Sequence, residues 1–152
     1  MKQATKSSAK LNETLCGGSS DKPLLTLRVN LTPVPASRPR VTRWGVHYGK
    51  RYKAWRTDAA KLLEECSTTP LAEPLRINVV FAIPRSKSGK LSTPVGDGDN
   101  YEKAIYDLLQ SKKYLEDDRW VTRAVWRKRF VPHGTQGYTM LTIYKDNEEI
   151  EI

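Results

Sequence analysis

Leu25, Leu27, Val29 and Leu31 alternate with Thr26, Arg28 and Asn30. A period of two puts the apolar side chains on one side, so this stretch predicts a half-buried strand. Leu75, Ile77, Val79, Phe81 and Ile83 repeat the pattern around Arg76 and Asn78, and Pro84 stops the second strand. Residues 120–130 predict a third strand, with Val121 and Val125 on one face and Trp126 and Phe130 on the other. Residues 138–144 predict the last. Between these runs the period lengthens. Tyr52, Trp55, Ala59, Leu62, Leu63 and Cys66 fall at helical spacing, with Trp55 in the core. Tyr101, Ala104, Ile105, Leu108 and Leu109 form the apolar stripe of a second helix over residues 100–110. Pro33, Pro35 and Pro39 mark an extended loop, residues 85–96 a mobile loop, and residues 132–137 a turn. The order β, α, β, α, β, β predicts an α+β fold, two helices packed on a small mixed sheet.

A length of 152 residues suits one domain with one modest core. The expected domain covers residues 23–146. Residues 1–22 are polar and basic and read as a disordered tail, and the acidic end from Asp146, residues 147–152 above all, is expected to fray. No apolar run is long enough to span a bilayer and the N-terminus lacks an apolar signal core, so a cytoplasmic protein without a membrane partner is expected. Cys16 and Cys66 lack a metal-binding spacing and read as free thiols. His47 and His133 stand alone, which disfavours histidine-based catalysis or metal binding.

Charge narrows the function. Lys and Arg number 26 against 17 acids, a formal net charge of +9 that favours a polyanionic partner. Its distribution is more specific. Arg38, Arg40, Arg43, Lys50, Arg51, Lys53 and Arg56 run without an intervening acid, interleaved with Trp44, His47, Tyr48 and Tyr52. Cations can track a phosphate backbone while aromatic faces stack on bases. Trp44 and Tyr48, before the first helix, are the expected stacking residues. Lys87 and Lys90 in the central loop, and Arg123 and Arg127 in the third strand, extend the predicted DNA-binding set.

In this basic chain the acids gather at Asp97, Asp99, Asp107, Asp117 and Asp118. If residues 97–99 are extended, Asp97 and Asp99 point the same way. Two carboxylates held together repel unless a cation lies between them, and Mg²⁺ or Mn²⁺ suits all-oxygen donors. A simpler role exists for Asp99: helix N-cap, with Glu102 closing a capping box. Lys103 and Asp107 have the spacing of an ordinary surface i,i+4 pair. Spacing alone favours that ordinary pair; the alternative has Lys103 point back over the carboxylates and stabilise charge on a reacting phosphate. Asp117 and Asp118 face opposite ways in an extended chain, so only one need reach a shared site.

The sequence Asp-x-Asp-Asn, then Lys103, then Asp107-Leu108-Leu109, then Asp117-Asp118, resembles the core motif of the RusA family of Holliday-junction resolvases. The Pro-rich and Arg-rich segment before the first helix is also similar. The resemblance implies a Mg²⁺-dependent (or Mn²⁺-dependent) endodeoxyribonuclease that nicks four-way DNA junctions as a homodimer and needs no small-molecule cofactor. It implies Asp97, Asp99 and Asp118 as metal-binding acids, Lys103 as the catalytic lysine, and Asn100, Asp107 and Asp117 as supporting residues. Gly98 departs from the family pattern, which often has a larger residue there, and Asp97 follows Gly96 rather than a Lys-Pro pair. A phage or bacterial source fits the resemblance. Two other functions fit the same basic stretches: a non-catalytic junction-binding accessory protein, and a metal nuclease for another branched or single-stranded nucleic acid. A pure binder, however, gains nothing from carboxylates set beside phosphates.

Overall fold

The computed structural model describes residues 22–148. Residues 1–21 of the expected tail, with Cys16, and the last four residues of the expected fraying end lie outside them. The main sheet has four strands: β1 (Leu25–Val29), β4 (Leu75–Pro84), β5 (Val121–Val131) and β6 (Tyr138–Lys145). A short separate hairpin comprises β2 (Arg40–Thr42) and β3 (Gly45–His47), and the helices are α1 (Lys50–Leu62) and α2 (Gly98–Ser111).

The strand order is β1-β6-β4-β5. β6 runs antiparallel to both β1 and β4, whereas β4 and β5 are parallel. A parallel pair needs a crossover, and α2 lies in the connection between β4 and β5. The sheet is therefore mixed, with two helices packed on it, as the hydrophobic periods predict.

Those periods also select the core. Leu75, Ile77, Val79 and Phe81 of β4 are buried, as are Leu141 and Ile143 of β6. They join Tyr52, Trp55 and Ala59 of α1 and Tyr101, Ala104, Ile105, Leu108 and Leu109 of α2. Fully burying one large aliphatic or aromatic side chain contributes about 1.5–3 kcal/mol, so this shared core fixes α2 firmly. Trp55 is buried as expected, although its indole N–H has no hydrogen-bond partner. The opposite sheet face stays open and carries Arg28 over Tyr138 at 3.9 Å and Arg76 over Tyr144 at 4.5 Å. Among the described residues no helix is long and apolar enough to cross a membrane.

The structure corrects the sequence reading in four places. The expected loop before α1 contains the β2–β3 hairpin, whose residues are all exposed and so carry no buried period. Helix α1 ends at Leu62, because Leu63 turns extended; Cys66 lies beyond it and Leu62 is exposed. Trp120 belongs to a 3₁₀ turn (Asp118–Trp120), not to the strand. A register shift where β4 begins to pair with β5 then breaks the alternation. Val121 packs on the core while Val125 is exposed, so the two do not share an environment.

The chain end is also tied down as far as Asp146. Its backbone N–H donates to the Pro74 carbonyl at 2.9 Å. Its carboxylate accepts from Thr122 Oγ1 at 2.7 Å and from Arg123 at 2.8 Å.

Candidate active site

Helix α2 starts two residues earlier than an Asp99 cap would require. Asp97 is the extended N-cap residue, and its carbonyl accepts from the backbone N–H groups of Asn100 at 3.1 Å and Tyr101 at 3.3 Å. Asp99 lies in the first helical turn. The capping-box alternative therefore falls: Asp99 is not the cap, and the Glu102 carboxylate accepts instead from Tyr106 Oη at 3.1 Å. The extended i, i+2 argument falls with it, since Gly98 and Asp99 are already helical. Asp97 and Asp99 both lie at the helix start. Both are exposed, and neither is used in a side-chain cap. A helix N-terminus is a favourable setting for negative groups.

Three contacts shape this helix start. Gly96 has φ 102°, a left-handed conformation that disfavours a side chain. Lys128 of β5 donates through Nζ to the Gly96 carbonyl at 2.5 Å and to that of Pro94 at 3.3 Å. The end of the central loop is thus pinned just before Asp97. Gly98 lies against the Trp126 ring, where an added Cβ would come within 2.1 Å of the indole. The departure from the family pattern at Gly98 has this physical reason: only a hydrogen fits under Trp126. Lys128 and Trp126 come from a strand distant in sequence, and nothing local signals either contact.

Lys103 projects one turn further along α2. Its ammonium lies 3.1 Å from Asp107 and 3.1 Å from Asp118. The hydrogen bond to Asp118, then that to Asp107, raises its pKa and keeps it cationic. Asp107 also accepts from Tyr52 Oη of α1 at 3.0 Å. Burial, reinforced by Asp107, drives the Tyr52 pKa upward, so the phenol stays a donor. Tyr52, Asp107, Lys103 and Asp118 form one chain of polar contacts across three elements. Its Tyr52 end joins residues 55 apart, beyond any local pattern.

The adjacent acids divide their roles. Asp117 caps the 3₁₀ turn by accepting from the Arg119 N–H at 2.8 Å. Asp118 faces Lys103. Among the described residues no three of the His, Cys, Asp and Glu side chains gather closely enough to hold a metal ion. Asp97 and Asp99 share a helix start, while Asp118 is engaged by Lys103.

The basic residues fall into two groups. Arg38, Arg40, His47, Tyr48 and Lys50 line an open cleft of about 630 Å³. A smaller cavity of about 220 Å³ shares Arg38 and Tyr48 and reaches Asn100, Lys103 and Asp107. The two openings thus meet at Arg38 and Tyr48; elsewhere Arg51 and Lys53 are exposed on the first turn of α1, and Lys87 and Lys90 are exposed in the central loop. Arg43 lies over the exposed Trp44 ring at 4.7 Å. Tyr48 packs edge-on against Tyr52, with centroids 5.8 Å apart. The second group, Arg123 and Arg127, lines a groove on the open sheet face with Arg76, Val80 and Tyr144. Arg123 is paired there with Asp146 at 2.8 Å and Glu148 at 2.6 Å.

The start of α2 thus carries two exposed carboxylates, Lys103 bridges two more, and an open cleft shares Arg38 with the cavity that reaches Lys103. Residues 30–151 match the family Endodeoxyribonuclease RusA, and the chain belongs to that family. It is accordingly an endodeoxyribonuclease. No curated protein matches the chain.

Proposed function

We propose that this endodeoxyribonuclease resolves four-way DNA junctions by paired, symmetric, Mg²⁺-dependent nicks. The observation that carries the reading is the Lys103 bridge, which brings Asp118 to the helix that starts with Asp97 and Asp99. That contact supports a shared role for the acids and the lysine that the family resemblance implies.

The donor chemistry fits a hard divalent cation, Mg²⁺ or Mn²⁺, which typically takes one or two carboxylates plus water and phosphate. Asp97 and Asp99 would hold it, and Asp118 would join them on leaving Lys103. When bound, the ion would lower the pKa of a water and offset charge on the scissile phosphate. Lys103 supplies a fixed positive charge beside that phosphate. Asp107, held by Tyr52, keeps the ammonium from turning away. Arg38, Arg40 and Lys50 guide the backbone toward the lysine.

A four-way junction has two-fold symmetry, and its resolution needs two matched cuts. One site per chain therefore calls for a homodimer with two-fold symmetry. The reaction belongs to DNA recombination and repair in the cytoplasm of a bacterial or phage-infected cell.

The test labels each junction strand in turn and maps the cuts on a denaturing gel, while Mn²⁺ binding is followed separately by electron paramagnetic resonance. Symmetric cuts on opposing strands, and Mn²⁺ binding weakened by Asp97→Asn, are expected. Cuts on a single strand or on a flap substrate alone would assign the nuclease to another structure.

A further inference from the structure

The β2–β3 hairpin buries none of its strand residues. Val41 and Trp44 are each 79% exposed and Val46 is 57% exposed. Arg43 and Trp44 form the two-residue turn between the strands, which sets the indole at the point of the hairpin. The turn is built to hold that shape. Thr42 Oγ1 accepts from the Trp44 N–H at 3.2 Å, and Gly45 takes φ 126° with open space where a Cβ would be. Its glycine therefore serves the backbone, not a packing contact.

Three exposed apolar side chains on a projecting element need an occupant, and the surrounding charge says which. Residues 38–57 contain seven Lys and Arg and no acid. A second copy of this chain presenting the same surface would be repelled. A nucleic acid satisfies both features, with phosphates for the cations and base faces for the indole.

The root of the hairpin is tied to the active-site helix. The Ala36 N–H donates to the Asn100 carbonyl at 2.9 Å, one residue after Asp99. The Gly49 N–H donates to Ser37 Oγ at 2.8 Å at the other side of the root.

We propose that the β2–β3 hairpin is a wedge that enters the branch point, stacks Trp44 on the bases exposed there, and selects branched over linear DNA. Side chains that insert between base steps favour sites where stacking is already broken, because the cost of unstacking is lowest there. Val41 and Val46 would shield the flanks of the inserted indole, and Arg43 would hold the adjacent phosphates. The inference rests on the junction reading above and adds a residue-level origin for its selectivity.

The test uses the full chain in EDTA, with 2-aminopurine at the branch point of a four-way junction or at the same sequence in a linear duplex. The wild-type chain should brighten the branch-point probe severalfold and bind the junction more tightly than the duplex. Trp44→Ala should lose that rise and weaken junction binding roughly tenfold or more, with duplex affinity and its salt slope unchanged. Trp44→Phe should restore part of both. A Trp44→Ala protein that keeps the full fluorescence rise and the junction preference overturns the wedge. So does a Trp44→Ala protein that changes self-association and leaves the fluorescence intact. A wild-type chain that binds duplex and junction equally well overturns the junction reading itself, a distinct result. Trp44 is exposed, so circular dichroism should show an unaltered fold in each variant.

Discussion

Helix α2 and the β2–β3 hairpin both carry candidate functional side chains, yet they are built in opposite ways. Helix α2 buries six residues, and the contacts of Lys128 and Trp126 fix its start. The hairpin buries none of its strand residues and is fixed only at its root. Chemistry on a phosphate needs groups placed to within a fraction of an ångström, which a packed helix provides. Binding a flexible, charged polymer needs exposed cations and aromatic faces, and burial would defeat that purpose. Substitutions in the two regions should therefore separate cutting from binding.

The largest separation is expected from Asp99→Asn, which should abolish cleavage while junction affinity holds or rises. A gel-shift titration beside a cleavage time course checks it. Lys103→Ala should follow, lowering the cleavage rate about 10²–10³-fold, the size seen when one charge-stabilising donor is removed. Single-turnover kinetics should locate that loss in the chemical step and not in binding. Ile105→Ala should destabilise the fold by about 2–5 kcal/mol through the cavity it leaves. Trp44→Ala should stay within about 0.5 kcal/mol, as surface substitutions usually do. Urea denaturation of both variants tests the contrast directly. Gly98→Ala should cost about 1–3 kcal/mol, because Trp126 must move to admit the methyl group. It should also slow cutting by shifting Asp97 and Asp99. The smallest effect belongs to Arg40→Ala, which should reduce the slope of log affinity against log salt by about one.

Much of the fold is legible in the sequence, for a physical reason that also sets the limit. Strands β1, β4 and β6 and the stripe of α2 are half-buried, so alternation or helical spacing reports them. The hairpin has no buried side, and its residues follow no period a core would impose. One irregularity in the pairing of β5 was enough to separate Val121 from Val125. The candidate site is legible as a set of residues but less so as a geometry. Asp97 and Asp99 stand out by type and spacing, whereas Lys103 and Asp118 are singled out by the family resemblance. The position of Asp99 does not stand out, because Gly98 is already helical and the extended rule no longer applies. The division between Asp117 and Asp118 depends on a turn of three residues. The Tyr52 hydroxyl on Asp107 and the Lys128 ammonium on Gly96 span 55 and 32 residues, and only the folded chain joins them.

The relation between the two regions is tested most directly by measuring binding and cutting on one labelled four-way junction. The comparison sets wild type against Asp99→Asn, each with Mg²⁺ and with EDTA. The account predicts paired nicks that need Mg²⁺ and vanish in the variant, with junction binding intact in all four conditions. Nicking that survives in Asp99→Asn, or binding lost together with cutting, would contradict it.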